Sequence, residues 1–422
     1  MQMIVEGRPI KELISMREDI LFLGGLFPKE TEKEIIGDSK GNIQNAANAL
    51  QWNIVRGIDR NIEKPIKILN ALYIGSYPCR YKKMFIKAYK FSHTIGAEDF
   101  NIAFCNLIGL KHFSRRKNIY KYLNVWCKQD NGCTKTIIAY ALTSTFLDAL
   151  IYAKKIDSKI NTCIVVPDLP KYMNTSDKAS LFYRILKKID EMHITKRLKE
   201  IDSYVLLTEQ MNQYIQAKKY VVIEGIVGDC DCANNLNANT KDNSNYQTIV
   251  YTGTLNSKYG IKNLVNAFEL IEDSNIRLIL CGSGDSEDYI KKMQNEDKRI
   301  IYKGNIDRQE ALMIQRKATV LVNPRQNNEE FTKYSFPSKI MEYMLSGVPV
   351  VLYKLDGIPD EYDKFVNYVP DNSIESLARI LTEICEKPES WRKEMGARAR
   401  EFVLQNKNCI VQTKKILELI QS

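Results

Sequence analysis

Short apolar runs of strand length alternate with stretches of helical periodicity along most of the chain. In the first half, residues 20–23, 71–74, 101–105, 136–141, 162–166 and 204–207 predict strands. These runs are continuous rather than alternating, as in strands buried on both faces of a parallel sheet. Between them, residues 41–56 and 180–200 predict helices. Residues 228–247, GDCDCANNLNANTKDNSNYQ, break the pattern. They are almost wholly polar and rich in Asn and Asp, which predicts a linker or exposed loop. A second series follows, with strands over 248–251, 276–280, 299–302, 320–322 and 348–352. The helices of that series fall at 260–272, 286–295, 308–315 and 337–346, and residues 390–420 form a last amphipathic helical segment.

Alternation of this kind predicts the α/β class: two tandem Rossmann-like, doubly wound domains facing across a cleft. The boundaries read as an N-terminal extension 1–17, a first domain 18–227, a linker 228–247, a second domain 248–400 and a C-terminal helix 401–422 that packs back on the first domain. Open sheets bind ligands beyond the carboxyl ends of their strands, so such a cleft takes ligand groups from both sheets.

Composition narrows the class. Hydrophobic residues make up 44% and charged residues 27% of the 422 positions, the balance of a globular protein. The N-terminal stretch lacks the unbroken apolar core of a secretory signal. The longest apolar stretch, 137–153, holds Thr143, Ser144, Thr145 and Asp148, and reads as a buried strand followed by a helix rather than a membrane span. Ten cysteines without a CxxC pair, and three histidines, argue for reduced thiols in the cytoplasm and against a metal site. Cys230 and Cys232 stand in the polar linker without further ligands nearby. No cofactor and no metal are expected.

The net charge is +10, and residues 246–422 are balanced, so the whole excess lies in residues 1–245. It gathers at Lys82, Lys83, Lys87 and Lys90, and again at Arg115, Arg116, Lys117 and Lys121. Two readings stand. One is a solvated face. The other is attraction to an anionic surface, either membrane lipid or a pyrophosphate-linked acceptor. No nucleic-acid module accompanies the charge, so nucleic acid ranks last as a partner. His93, His112 and His193 stand without paired carboxylates in the sequence and are assigned no catalytic role.

Residues 320–351, VLVNPRQNNEEFTKYSFPSKIMEYMLSGVPVV, carry the most chemistry. A strand ends at Asn323 and Pro324, a polar loop follows, and a helix opens near Pro337, a residue suited to a first turn. A sugar nucleotide brings a diphosphate and a ribose with two adjacent hydroxyls. A helix N-terminus suits the first and a carboxylate the second. Glu342 lies roughly 7–8 Å along the axis from Pro337 at ~1.5 Å per residue, about the offset between the two groups. Ser338 and Lys339 share its face. Lys339 either adds a charge to the phosphates or forms an ordinary i,i+3 surface pair with Glu342.

These residues, taken in order, resemble glycosyltransferase family four, the retaining family of the GT-B fold. The segment 251–260, YTGTLNSKYG, is similar to the family's opening of the second domain. Gly282 and Gly284 match its glycine turn, and Gly304 with Asn305 its segment beside the base. FPSKIMEYMLSGVPVV, with Phe336, matches its donor helix and following strand, and Glu342 falls on the second glutamate of its paired-glutamate signature. In the first half, Gly24 and Gly25 fall on the glycine loop facing the transferred sugar, and Asp168 where the family often has His-Asp. A tight turn and a helix cap are the plain alternatives for these two sites. Glu224 and Gly225 stand where the family has Asn-Gly, before the linker.

The resemblance implies a UDP- or GDP-sugar donor held by Gly253, Thr254, Lys258, Gly282, Gly284, Gly304, Asn305, Phe336, Ser338, Lys339 and Glu342. It implies Gly24, Gly25, Asp168 and Tyr334 near the reacting atoms, with no metal. It further implies, as acceptor, a saccharide or polyprenyl-diphosphate-linked sugar at the inner membrane surface, in bacterial capsule or polysaccharide synthesis. The chain departs from the family at three places. Tyr334 replaces the first glutamate, with Glu329 and Glu330 nearby. Thr254 and Tyr259 replace an Arg and a Lys, leaving Lys258 one residue off. Pro167 replaces a His. These departures open a second reading: a degenerate binding subunit that supports a partner transferase. A sugar-nucleotide epimerase is a third, disfavoured by the scarcity of histidine.

Overall fold

In the first sheet Leu21, Phe22 and Leu23 are all buried, although neighbouring side chains on a strand point to opposite faces. Such strands need helices on both sides, and the chain supplies them. The computed structural model describes residues 18–41, 43–172, 181–228, 246–328 and 330–422. It divides into two units. Unit 1 takes the described residues up to Leu207, with Asn212–Ile226 and Cys409–Ser422; unit 2 takes Thr208–Met211 and Val227–Asn408.

Unit 1 contains strands β1 (Glu18–Gly24), β2 (Lys67–Asn70), β3 (Phe85–Ile86), β4 (Tyr89–Phe91), β5 (Asp99–Asn101), β6 (Phe104–Cys105), β7 (Thr134–Tyr140), β8 (Asn161–Val166), β9 (Ser203–Leu206) and β10 (Tyr220–Val222). Eight form one sheet in the order β10-β9-β8-β7-β1-β2-β5-β4, parallel except for β4 against β5. β3 and β6 pair separately. The helices are α1 (Glu32–Asp38), α2 (Asn45–Asp59), α3 (Leu110–Trp126), α4 (Ser144–Ile156), α5 (Leu181–Arg197) and the short α6 (Asn212–Ile215).

Unit 2 contains β11 (Gln247–Thr252), β12 (Ile276–Cys281), β13 (Ile300–Gly304), β14 (Val320–Asn323), β15 (Val350–Leu352) and β16 (Asn367–Tyr368). They form a fully parallel sheet in the order β13-β12-β11-β14-β15-β16. Its helices are α7 (Ile261–Glu269), α8 (Glu287–Glu296), α9 (Arg308–Lys317), α10 (Lys339–Leu345), α11 (Ile374–Glu386) and α12 (Glu389–Asn406). The last helix, α13 (Cys409–Gln421), belongs to unit 1. There Ile416, Leu417 and Ile420 share a core with Trp52 and Val55 of α2 and Phe22 of β1.

Three expectations about elements are corrected. The second strand lies at Lys67–Asn70, not at 71–74. Residues 71–74 are equally apolar but run past the sheet, where Ala71 N–H and Tyr73 N–H bond to Gly24 O and Gly25 O. The helical segment expected over 390–420 is two helices, broken at Lys407 and Asn408, and the C-terminal helix expected over 401–422 begins at Cys409. Lys407 is buried there, with its ammonium 2.5 Å from Glu361 and 5.2 Å from the Tyr362 ring.

The third correction concerns His93. It has carboxylates on both sides: Nε2 lies 2.7 Å from Asp59 and Nδ1 2.7 Å from Asp99. Those partners are 34 and 6 residues away, beyond the reach of any local pattern. Ile66 N–H and Ile68 N–H bond to the remaining oxygens, so the cluster locks β2 to α2 and β5. Among the described residues, no helix is long and apolar enough to cross a membrane.

Candidate functional site

In unit 2 the chain runs β11, β12, β13 to one side of β11, then returns to β14 on the other. The switch point therefore lies between β11 and β14, where open sheets hold their ligands. α10 follows β14 and is fastened to that point. Thr252 N–H donates to the Tyr343 hydroxyl at 2.9 Å, and that hydroxyl donates to Thr252 O at 3.1 Å. Ile340, Met341, Tyr343, Met344 and Leu345 are buried, while Lys339, Glu342 and Ser346 form the part-open stripe. The approach is set by Phe336, buried 5.4 Å from the Tyr362 ring, and by Pro337, whose carbonyl accepts from Ile340 N–H. Ser338 is exposed at the N-cap position and makes no capping bond.

Glu342 is 24% exposed. Its Oε1 accepts from Gln315 Nε2 at 2.7 Å and from Lys339 Nζ at 2.7 Å. Gln315 Nε2 also donates to Thr252 Oγ1 at 2.7 Å, so the carboxylate is tied to the end of β11. Burial pushes the Glu342 pKa up, but the Lys339 charge and bond, the Gln315 bond and the Arg308 charge outweigh it and hold it low. The group is an anion at neutral pH. Both bonds end on Oε1, which leaves Oε2 as an acceptor. Lys339 and Glu342 thus do form the i,i+3 pair.

Gln315 was not identified from sequence. It is fully buried in α9, and its own Oε1 has no partner. A buried amide half-satisfied is costly, so its place is explained by what Nε2 holds. If Glu342 holds a nucleotide ribose, as the sequence resemblance implies, Gln315→Leu is expected to weaken that binding roughly tenfold through a misplaced carboxylate, read by calorimetric titration with UDP and GDP. Unchanged affinity would make Gln315 a packing residue only.

The glycine turns stack on one another by backbone bonds. Gly253 N–H donates to Cys281 O, Gly282 N–H to Gly304 O and Leu255 N–H to Ser283 O, all within 2.7–2.9 Å. Gly284 N–H is taken by Glu287 Oε1. Gly282 has φ +135°, and a Cβ there would sit 1.8 Å from Gly253 O. Gly253 and Gly282 therefore bring the strand ends together and spend their own N–H groups doing so, while the Gly284 N–H is spent on the start of α8. Gly282→Ala is expected to cost unit 2 about 3 kcal/mol or more from strain and overlap, seen as an earlier denaturant transition. Thr254 and Asn305 are exposed beside these turns, and Gly304 has open space around its Cα.

Two further cations collect at the same strand ends. Arg325, just past β14, stacks its guanidinium 4.6 Å from the Phe331 ring and 5.2 Å from Tyr259, and donates to Ser335 Oγ at 3.1 Å. Lys258 lies 5.4 Å and 5.9 Å from the same two rings. Tyr334 closes the 3₁₀ turn Glu330–Tyr334, half-buried next to Ser335. Arg325 and Arg308 were also missed in the sequence. The available signal was an arginine directly after a strand-terminal Asn-Pro and another at a helix start. Glu329, Cys230 and Cys232 lie outside the described residues.

In unit 1 the switch point falls between β1 and β7. Gly24 and Gly25 lie at its edge and are buried. Gly25 N–H donates to Gln51 Oε1 at 2.8 Å, and a Cβ on Gly25 would meet the Tyr73 ring at 2.6 Å. Asp168 is exposed just beyond β8. The Tyr140 phenol is held far above its usual range by burial, then by Tyr73 and by the Asp168 charge. Gly24, Gly25 and Asp168 thus share the carboxyl-end edge of the unit 1 sheet. The other predicted site residues share the corresponding edge of the unit 2 sheet. Glu224 is buried at the end of unit 1.

The model of the family described as "Glycosyl transferases group 1" matches residues 234–402. No curated protein sequence matches the chain. Among solved structures, Anabaena HepE in complex with UDP is similar at 13% identity and a TM-score of 0.61, over 96% of this chain and 99% of that one. A trehalose-6-phosphate structure from E. coli bound with UDP-2-fluoro glucose is similar at 11% identity and a TM-score of 0.63, with the same coverage of 96% and 99%. S. aureus TarM with UDP and alpha-GlcNAc-glycerol reaches 13% identity and 0.57, over 96% of this chain and 100% of that chain. The fold is GT-B.

Proposed function

We propose that the chain transfers a sugar from a nucleoside diphosphate sugar to a hydroxyl of a lipid-linked or saccharide acceptor. The observation that carries the reading is Glu342. It is an ionised carboxylate with one oxygen open, fixed at the switch point of unit 2, inside the segment that matches glycosyl transferases group 1. Its Oε2 accepts the hydroxyls of the donor ribose. Lys339, Lys258 and Arg325 face the diphosphate. Lys339 leaves Glu342 for a phosphate oxygen at little cost, because a part-exposed ion pair is worth only about 0–1 kcal/mol.

The reaction is retaining and needs no metal, since fixed cations stabilise the leaving diphosphate. The bond from the anomeric carbon to the β-phosphate oxygen breaks, the acceptor oxygen bonds to that carbon on the same face, and the departing phosphate takes the acceptor proton. Gly24, Gly25 and Asp168 border the transferred sugar, and Tyr334 stands in for the missing glutamate. The donor is a UDP- or GDP-sugar. The acceptor is a saccharide or polyprenyl-diphosphate-linked sugar, at the cytoplasmic face of a bacterial membrane, in capsule or related polysaccharide synthesis.

Titration with UDP, GDP and dTDP tests the binding half of the claim. At least one should bind, and Glu342→Ala should weaken it at least about tenfold. Binding of none would remove the basis of the reading. Tyr334 and Thr254, standing where the family has Glu and Arg, favour the second reading of a non-catalytic subunit. That subunit would bind nucleotide but neither transfer nor hydrolyse any donor.

A further inference from the structure

Unit 1 exposes large apolar side chains on two neighbouring helices. On α5, Ile185, Ile189 and Met192 recur at helical spacing, with Ile189 56% exposed. They point away from the packed side of α5, where Ile194 is buried and Arg197 bonds to Asp148 at 2.7 Å. At the start of α3, Ile108, Leu110 and Phe113 are 76%, 53% and 61% exposed. The two stripes belong to one region. Arg116 of α3 and His193 of α5 bond to the same Asp148 of α4, and Asp190 of α5 acts on His112 of α3. Large apolar side chains exposed together on neighbouring helices are a mark of an interaction surface.

The exposed charges around it are mostly basic. α3 has no acidic residue over its 17 positions. Two of its cations serve the interior: Arg115 donates to Ala71 O and Leu72 O, and Lys111 to Ile74 O. Lys117 and Lys121 remain exposed on α3, as do Lys188 and Lys196 on α5. The nearby carboxylates are Asp190 and Glu191. A second copy of the chain across a two-fold axis would set these lysines against their own kind.

We infer that the α3–α5 face docks on an anionic lipid bilayer, with Phe113, Ile189 and Met192 inserted at the headgroup boundary and the lysines against lipid phosphates. This deepens the proposed function, in that a lipid-linked acceptor gives the docking its purpose. The observation itself is independent of sugar transfer.

Flotation of the full chain with vesicles, without donor or acceptor, tests it. Vesicles of phosphatidylcholine with phosphatidylglycerol should carry the wild type, and pure phosphatidylcholine should carry little. The variant Phe113→Ser with Ile189→Ser and Met192→Ser should bind about a thousandfold more weakly, since each large apolar side chain contributes roughly tenfold. Lys117→Gln with Lys188→Gln should lose roughly fivefold per lysine and flatten the salt dependence. All five positions are exposed, so the variants should fold, which circular dichroism checks. Wild type that floats with neither vesicle overturns the inference. So does an apolar variant that binds as wild type, or a concentration-dependent dimer that the same variant abolishes. Transfer to a soluble acceptor should persist in these variants, so failed docking and failed transfer read out separately.

Discussion

Glu342→Ala is expected to lower kcat/KM for sugar transfer about a hundredfold or more. Two hydrogen bonds from ribose hydroxyls to a charged acceptor are each worth about 1.5–3 kcal/mol, and about 1.4 kcal/mol is tenfold. Glu342→Gln keeps an acceptor without the charge and should fall about tenfold. Most of the change should appear in KM for the donor, because the contact exists before the reacting bond breaks. The unfolding of unit 2 should shift by only about 1 kcal/mol, as Gln315 keeps its bond to Thr252 and the Lys339 pair is part-exposed. Donor titrations at saturating acceptor check this. A variant with intact donor KM and a badly destabilised unit 2 would make Glu342 a structural residue.

Loss of the His93 side chain should be the most damaging change to unit 1. The imidazole is 2% exposed. Burial alone would strip its proton, but bonds to Asp59 and Asp99, with their charges, raise its pKa from 6.5 to about 9. His93→Asn leaves two carboxylates without their cation and should cost about 3–5 kcal/mol. The raised pKa also fixes a pH dependence. The stabilisation is fully present below about pH 6.5, the unfolded value, and is lost as pH rises through about 9. It amounts to about 3 kcal/mol at about 1.36 kcal/mol per pKa unit. Denaturant midpoints of unit 1 at pH 6.5 and pH 10 should therefore differ more in the wild type than in His93→Asn. Equal differences would mean that the histidine is neutral in the folded chain.

How far the site was legible depends on the distance over which each part is assembled. α10 and Glu342 could be read because one unbroken segment supplies strand, turn, helix and carboxylate. The Gln315 contact could not, since α9 and α10 are brought together only by the order of the strands between them, and an amide in a polar helix carries no periodic signal. His93 looked unaccompanied for the same reason: Asp59 closes α2 and Asp99 opens β5. The basic cluster over residues 115–121 read as one patch, yet Arg115 is buried and Lys117 exposed, because consecutive helical positions face different ways. β2 was displaced by four residues because the apolar run continues beyond the sheet into a packed turn under Gly24 and Gly25. The switch points are topological and appear only once strand order is known.

The account is tested most directly by offering the purified full-length protein a panel of labelled UDP-, GDP- and dTDP-sugars together with membrane lipid extract. It predicts that label from at least one donor passes into a lipid-linked or saccharide product, and that Glu342→Ala suppresses the transfer. If no donor is transferred and none is hydrolysed, while the protein is folded, the chain is not the transferase described above.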